Sequence, residues 1–179
     1  APHILAQLPT KEHAAKGTCR AWRRGWKETL KKRERPRLPV IGGQGNGGEF
    51  VNSLERYDPS TNEWEEEAVA PMPTARTRPG MAVLDGTLYA VGGFCDDGYL
   101  SSVERYDPAT NAWEAVAPMA APRLSHAAAV LDGKLYAVGG YNNDDGYLSS
   151  VERYDPATNA WEAVAPMGTA RYSSLPALM

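Results

Sequence analysis

The three histidines, His3, His13 and His126, are the first residues to test for chemistry, and no two stand at a spacing that would let them share a metal ion. The two cysteines, Cys19 and Cys95, lie in different regions without ligand spacing and read as free thiols of a reducing compartment. The acidic pairs Asp96-Asp97 and Asp144-Asp145 each precede a glycine and invite a calcium reading. The alternating ligands of a calcium loop are absent, so solvated turns are the better account. No Gly-x-Ser-x-Gly elbow, phosphate-cradling loop or Cys–His pair in a catalytic setting appears. The residues predict no enzyme, no metal and no cofactor. What they leave is binding.

The elements that would hold a binding surface are repeated. LDGTLYAVGGFCDDGYLSSVERYDPATNAWEAVAPM at 84–119 returns at 131–167 as LDGKLYAVGGYNNDDGYLSSVERYDPATNAWEAVAPM. A looser copy precedes both, from PVIGG at 39–43 through SLERYDPSTNEW at 53–64 to APM at 70–72. The double glycines (Gly42-Gly43, Gly92-Gly93, Gly139-Gly140) recur at spacings of 50 and 47, the tryptophans (Trp64, Trp113, Trp161) at 49 and 48. Self-similarity at ~50 residues is the signature of a propeller unit.

Each unit reads as four short strands. Residues 80–84 and 127–131 are small and apolar, as in a strand buried on both faces. Asp85-Gly86 and Asp132-Gly133 then predict tight hairpins, because both turn positions need positive φ. The second strand is LYAV (88–91, 135–138), ending at the glycine pair, where the backbone turns sharply or packs closely. The third is SSVERY (101–106, 149–154), and DPATN makes the next turn. The fourth, AWEAV (112–116, 160–164), carries the Trp. Four such strands make one antiparallel blade, which must stack on others to cover its faces. The Tyr and Trp of each unit are expected to pack blade against blade.

With its double Gly, Tyr and Trp three times over 38–179, and an Arg four places after each Pro-Met (Arg76, Arg123, Arg171), the chain resembles the kelch-repeat family. The resemblance implies an all-β fold of kelch-type β-propeller blades of four antiparallel strands. Kelch-fold copper oxidases and sugar-acid isomerases carry His, Tyr and Cys constellations that have no counterpart here. The three recurring arginines belong to the shared pattern and are expected to bond neighbouring carbonyls rather than a ligand.

Residues 1–37 stand apart. They hold eleven Lys/Arg against three Asp/Glu, whereas 38–179 hold eight against nineteen, so an anionic partner should meet the basic head first. Cys19, Trp22, Trp26 and Leu30 fall at steps of three, four and four, which predicts a short α-helical segment with one apolar stripe, stopped by Pro36. A helix packing that stripe on the propeller is the plain reading. Residues 4–27 are also similar to the second half of an F-box, with Leu8-Pro9 and then Cys-Arg-x-Trp at Cys19–Trp22. In F-box/kelch proteins the F-box docks on the Skp-type adaptor of a cullin ubiquitin ligase and the propeller holds the substrate. The leading helix of that family, before Ile4, has no match here. KKRERPR (31–37) also fits a nuclear-localisation or nucleic-acid patch, although a solvated helix face is the commoner meaning of such a run. No apolar run approaches a membrane span. The setting expected is the cytoplasm or nucleus.

The repeat arithmetic divides the chain into the head (1–37), a partial blade (38–72), two full repeats (73–119 and 120–167) and the first strand of a further or closing blade (168–179). That is about three blades' worth, an incomplete ring against the ~4–8 blades of closed propellers. A fragment of a longer propeller, an open arc, or a strand-exchanged homodimer with six blades would each satisfy the count.

Residues 96–119 and 144–167 are identical, and the differences concentrate in two places: the loop after the glycine pair (44–52, 94–101, 141–149) and the segment after Pro-Met (73–80, 120–127, 168–175). By the kelch resemblance these two loop classes share one face and hold a protein partner. The partner-binding candidates are Phe94, Tyr141, Asn142 and Asn143 in the first class, and Arg78, Ser125, His126, Tyr172 and Ser173 in the second. Substrate recognition for a cullin-based ligase is the function expected. A scaffold or cytoskeletal, actin-associated binding protein is the alternative.

Overall fold

The computed structural model describes residues 38–65 and 70–173. The expected helix around Cys19–Leu30, the F-box-like stretch 4–27 and the basic run 31–37 lie outside the described residues.

All regular elements described are strands. β1 (Leu38–Gln44), β2 (Phe50–Asp58) and β3 (Glu63–Glu65) form a three-stranded antiparallel sheet. The next sheet takes β4 (Gly80–Leu84), β5 (Thr87–Cys95), β6 (Gly98–Asp107) and β7 (Ala112–Val116) in sequence order, each antiparallel to its neighbour. The third repeats it with β8 (Ala127–Leu131) and β9 (Lys134–Val138). A small hairpin of β10 (Tyr141–Asn142) and β11 (Gly146–Tyr147) follows, and then β12 (Val151–Asp155) and β13 (Ala160–Val164) complete the sheet. The two four-stranded antiparallel sheets are the blades the repeat predicts.

The turns follow their chemistry. Asp85-Gly86 and Asp132-Gly133 all have positive φ, between 50° and 80°, as a tight hairpin requires. Asp107 and Asp155 accept from the backbone N–H two residues on, at 2.8 and 2.9 Å, and Asn111 and Asn159 take the left-handed region at the end of the same turn.

Two expectations are corrected. The second strand of the 73–119 repeat does not stop at its glycines: β5 runs on to Cys95 through a bulge between Val91 and Gly93, so only Asp96-Asp97 separate it from β6. In the next repeat the strand breaks at Gly139-Gly140 and resumes as β10. The first strands are also less covered than their sequences suggest, with Val83 59% and Leu131 47% exposed. Along β4 the exposed Val83 stands next to the buried Leu84, so one face of the strand is covered and the other meets solvent. The first strand of a further or closing blade expected within 168–179 falls largely on 174–179, which lie outside the described residues.

The core lies between the second and third sheets, where Leu84, Tyr89, Val91 and Val103 meet Leu135, Ala137 and Tyr154, and β4 runs beside β8. A polar clasp fixes the seam. Trp113 Nε1 donates to the Ala70 carbonyl at 2.8 Å, while the Ala70 N–H donates to Asn111 Oδ1. Trp161 and Asn159 grip both backbone groups of Ala117 in the same way. The aromatic pairs Tyr106–Trp113 and Tyr154–Trp161, 5.4 and 5.3 Å between centroids, brace the grip within each blade.

Candidate functional site

The recurring arginines position the loops. Arg76 and Arg123 are fully buried. Each side chain reaches into its own blade: Arg123 Nη1 donates to the carbonyls of Gly139 and Ser150, and Nη2 meets Glu152 at 2.7 Å. Arg76 repeats this with Gly92, Ser102 and Glu104. Burial pulls the Arg76 guanidinium below its ordinary range, and Glu104 opposes that pull. Each backbone carbonyl faces the other way, taking the N–H of the second glycine of the preceding blade: Gly43 to Arg76, Gly93 to Arg123 and Gly140 to Arg171. One residue thus locks the post-Met loop to two blades. The expected structural role of Arg76 and Arg123 is what their bonds show.

From these anchors the two loop classes come together. Thr77 bridges Phe94, and Leu124 bridges Tyr141, by backbone hydrogen bonds. A step further on, the Ser125 N–H donates to the Arg78 carbonyl and the Ser173 N–H to the Ser125 carbonyl. All three of these residues sit near φ +50°, so three units join in a backbone staircase.

Across this face runs a continuous row of six aromatic rings: Phe50, Phe94, Tyr99, Tyr141, Tyr147 and Tyr172. Successive centroids stand 5.1–5.9 Å apart. The Tyr99 hydroxyl ties the row to Asn143 at 3.0 Å. The row is half-buried at Phe50, Phe94, Tyr99 and Tyr141 and opens at Tyr147 and Tyr172. Beside its first members lies an open groove of about 270 Å³, walled by Phe50, Phe94 and Tyr99, with the exposed Arg78 as its cation. Rigid aromatic area beside a cation is the composition of protein-binding hot spots.

Of the sequence candidates, Phe94, Tyr141 and Tyr172 stand in the row, Arg78 in the groove, and Asn143 at the rim. Ser125 and Ser173 use their backbones to hold the staircase. Asn142 and His126 are buried, 1% and 6% exposed. The Asn142 amide is buried and bonded to the Pro122 carbonyl and to Asp145, in the slot that Cys95 fills one repeat earlier. Phe50, Tyr99 and Tyr147 were not singled out from sequence. Their signal is an aromatic residue five places before each Glu-Arg-Tyr.

His126 is buried against Gly80, where a side chain would stand 2.5 Å from Nε2, and burial with nearby Arg123 pushes its pKa down to about 3. The unfolded chain binds this proton near pH 6.5, and the folded chain refuses it until about 3. The contribution of His126 is therefore full above the unfolded value and is lost as pH falls from about 6.5 toward 3. His126→Leu is expected to flatten the stability–pH profile by up to about 1.4 kcal/mol per pH unit in that window. Urea midpoints of both proteins at several pH values from 7 to 4 check this.

Stacked four-stranded blades with an aromatic face across their loops define a module of kelch-type β-propeller blades. No cluster of His, Cys, Asp or Glu among the described residues fits a metal, and none of the elements is a helix long and apolar enough to cross a membrane. The chain belongs to the kelch-repeat family, matching the KLHDC2/KLHL20/DRC7 Kelch-repeats domain over residues 7–174. That span begins ahead of residue 38, where the sequence repeats start, and takes in most of the basic head. Kelch-like protein 40 from Mus musculus is 42% identical over 62 residues, covering 35% of this chain and 10% of the relative. Kelch-like protein 38 from Homo sapiens is 47% identical over 53 residues, covering 30% and 9%. Kelch-like ECH-associated protein 1A from Danio rerio is 51% identical over 41 residues, covering 23% and 6%. The chain thus spans about a tenth or less of the length of these relatives.

Proposed function

We propose that this chain is a protein-interaction module that holds its partner against the aromatic row and the Arg78 groove. The carrying observation is the unbroken contact of six rings across three repeats, which gives a rigid, partly exposed surface larger than any one loop provides. The name of one relative, Kelch-like ECH-associated protein 1A, speaks of an association and supports the same class of role. The finer reading is substrate recognition for a cullin-based ubiquitin ligase in the cytoplasm or nucleus. The F-box-like residues 4–27 would meet a Skp-type adaptor while the ring face holds the substrate.

Affinity capture with mass spectrometry tests both levels. Arg78→Ala with Tyr147→Ala is expected to weaken the partner at least tenfold while leaving the thermal midpoint within a few degrees. Full-length chain carrying Leu8→Ala, Pro9→Ala and Trp22→Ala should lose adaptor and cullin and keep the face-dependent partner. Ligase components absent from every capture would remove the ligase role and leave a scaffold or cytoskeletal binding module. Partners indifferent to the Arg78/Tyr147 pair would remove the face itself.

A further inference from the structure

Every asparagine of the chain but one has its side chain engaged. Asn62, Asn111 and Asn159 each accept from the tyrosine hydroxyl five places earlier, and Asn143 accepts from Tyr99. Asn52 donates to the Met72 carbonyl, and Asn142 is bonded to Pro122 and Asp145. Asn46 is exposed, and its side chain makes no bond among the described residues. It is also the one asparagine that precedes a glycine.

The loop around Asn46 is a β-turn. The Gly48 N–H donates to the Gly45 carbonyl at 3.0 Å, and the Gly45 N–H donates to the Glu49 carbonyl at 2.9 Å. A turn of this kind bonds the N–H of its fourth residue and leaves that of its third, here Gly47, without a partner. The Glu49 carboxylate folds back over the same turn. A Cβ at Gly47 would stand 2.6 Å from Oε2, and one at Gly45 would overlap Oε1, so the glycines make the room that the carboxylate occupies. An unbonded amide, an unbonded N–H next to it in the chain and a carboxylate held over the turn are the parts of an intramolecular acyl transfer. Asp96, Asp97, Asn143 and Asp144, at the tips of the other two hairpins, are exposed as Asn46 is. The exposure therefore belongs to the hairpin and not to the place of the first sheet in the chain.

We propose that Asn46 is a self-deamidating residue, converted through a succinimide with Glu49 as the base. The Gly47 nitrogen attacks Asn46 Cγ and forms the new N–Cγ bond. Glu49 takes the Gly47 proton and passes it to Nδ2, and the Cγ–Nδ2 bond breaks to release ammonia. Water then opens the ring. Cleavage of the N–Cγ bond leaves aspartate, whereas cleavage between the nitrogen and the main-chain carbonyl carbon leaves isoaspartate. Nothing is oxidised or reduced. Either product adds a negative charge to the hairpin whose Gln44 and Phe50 wall the groove of Arg78. The iso product also puts an extra methylene into the backbone of a turn closed by Gly45 and Gly48. The change is irreversible, so it records the age of the molecule. This goes beyond the binding role of the loop face and does not depend on it.

The test is incubation of the full chain at neutral pH and body temperature, then tryptic digestion and tandem mass spectrometry of residues 38–56. The expected result is the mass gain of an amide turned acid at Asn46, and none at Asn52 of the same peptide. Glu49→Gln keeps the size and shape of the side chain and should slow the gain roughly tenfold in the folded protein. In denaturing urea the two proteins should react at equal rates, because only the fold holds the carboxylate over the turn. Circular dichroism confirms that both start folded. An Asn46 that gains no mass overturns the proposal, and so do equal rates in the folded proteins. A difference that survives in urea assigns the effect of Glu49 to sequence alone and overturns it as well.

Discussion

Arg123→Ala is expected to lower the unfolding free energy by about 3–5 kcal/mol, measured as a shift of the urea midpoint against wild type. The guanidinium is buried with Glu152 at 2.7 Å and also serves the carbonyls of Gly139 and Ser150. Truncation strands the carboxylate, which keeps only the N–H groups of Ala120 and Ala121. The cost comes from the charge left behind rather than from the worth of the pair. Removing both charges with Arg123→Met and Glu152→Met should therefore recover about 2 kcal/mol of the loss. A double variant no better than the single would show that the arginine acts through its two carbonyls and not through the carboxylate.

Gly92→Ala is expected to cost about 2–5 kcal/mol, the sum of left-handed strain and overpacking. Gly92 sits at φ +56°, and a Cβ there would stand 2.7 Å from the Arg123 carbonyl and 3.0 Å from that of Leu100. Neither is a flexible side chain that can step aside, so the seam between the second and third blades must open. Gly86→Ala is the control: its φ is +80°, but nothing lies within 4 Å of the added atom. It should lose only about 1 kcal/mol. Equal losses at the two sites, read from thermal or urea midpoints, would assign the whole effect to backbone strain and none to the close approach of blades.

The blades were legible because their determinants are local and repeated. Asp-Gly turns, the DPATN turn and the Trp strand each announce themselves within a few residues and recur in step. The kelch resemblance drawn from the glycine, Tyr, Trp and Arg pattern holds as the family of the chain. The F-box-like head falls outside the described residues and stays with the proposed ligase role. The aromatic row was half legible. Phe94, Tyr141 and Tyr172 lie where the copies differ, so variation points to them, whereas Tyr99 and Tyr147 lie inside the identical stretch, where it points to nothing. A binding row built from shared and variable positions alternately is not found by looking for variation alone. Asn142 is buried although it stands in a variable loop, because the third repeat carries one extra residue: Asn143 is the insertion at the rim, and Asn142 keeps the buried slot of Cys95. His126 reads as a loop residue until Gly80 of the neighbouring blade is seen to make room for its ring.

The shared stretch of 96–119 and 144–167 has a consequence for how the chain finds this arrangement. β9 pairs with β12, but residues 103–107 of β6 offer the same side chains in the same order. Hydrogen bonding and side-chain fit cannot tell the two partners apart while the sheet is forming. The difference in loop closure between a near and a far partner is only about 1 kcal/mol, because that entropy grows with the logarithm of length. Selection of the right partner therefore waits for the seam, where Trp161 meets Ala117 and Gly93 meets the Arg123 carbonyl. The order of assembly is proofread between blades and not within them, and a chain caught before that step holds well-formed but exchanged sheets.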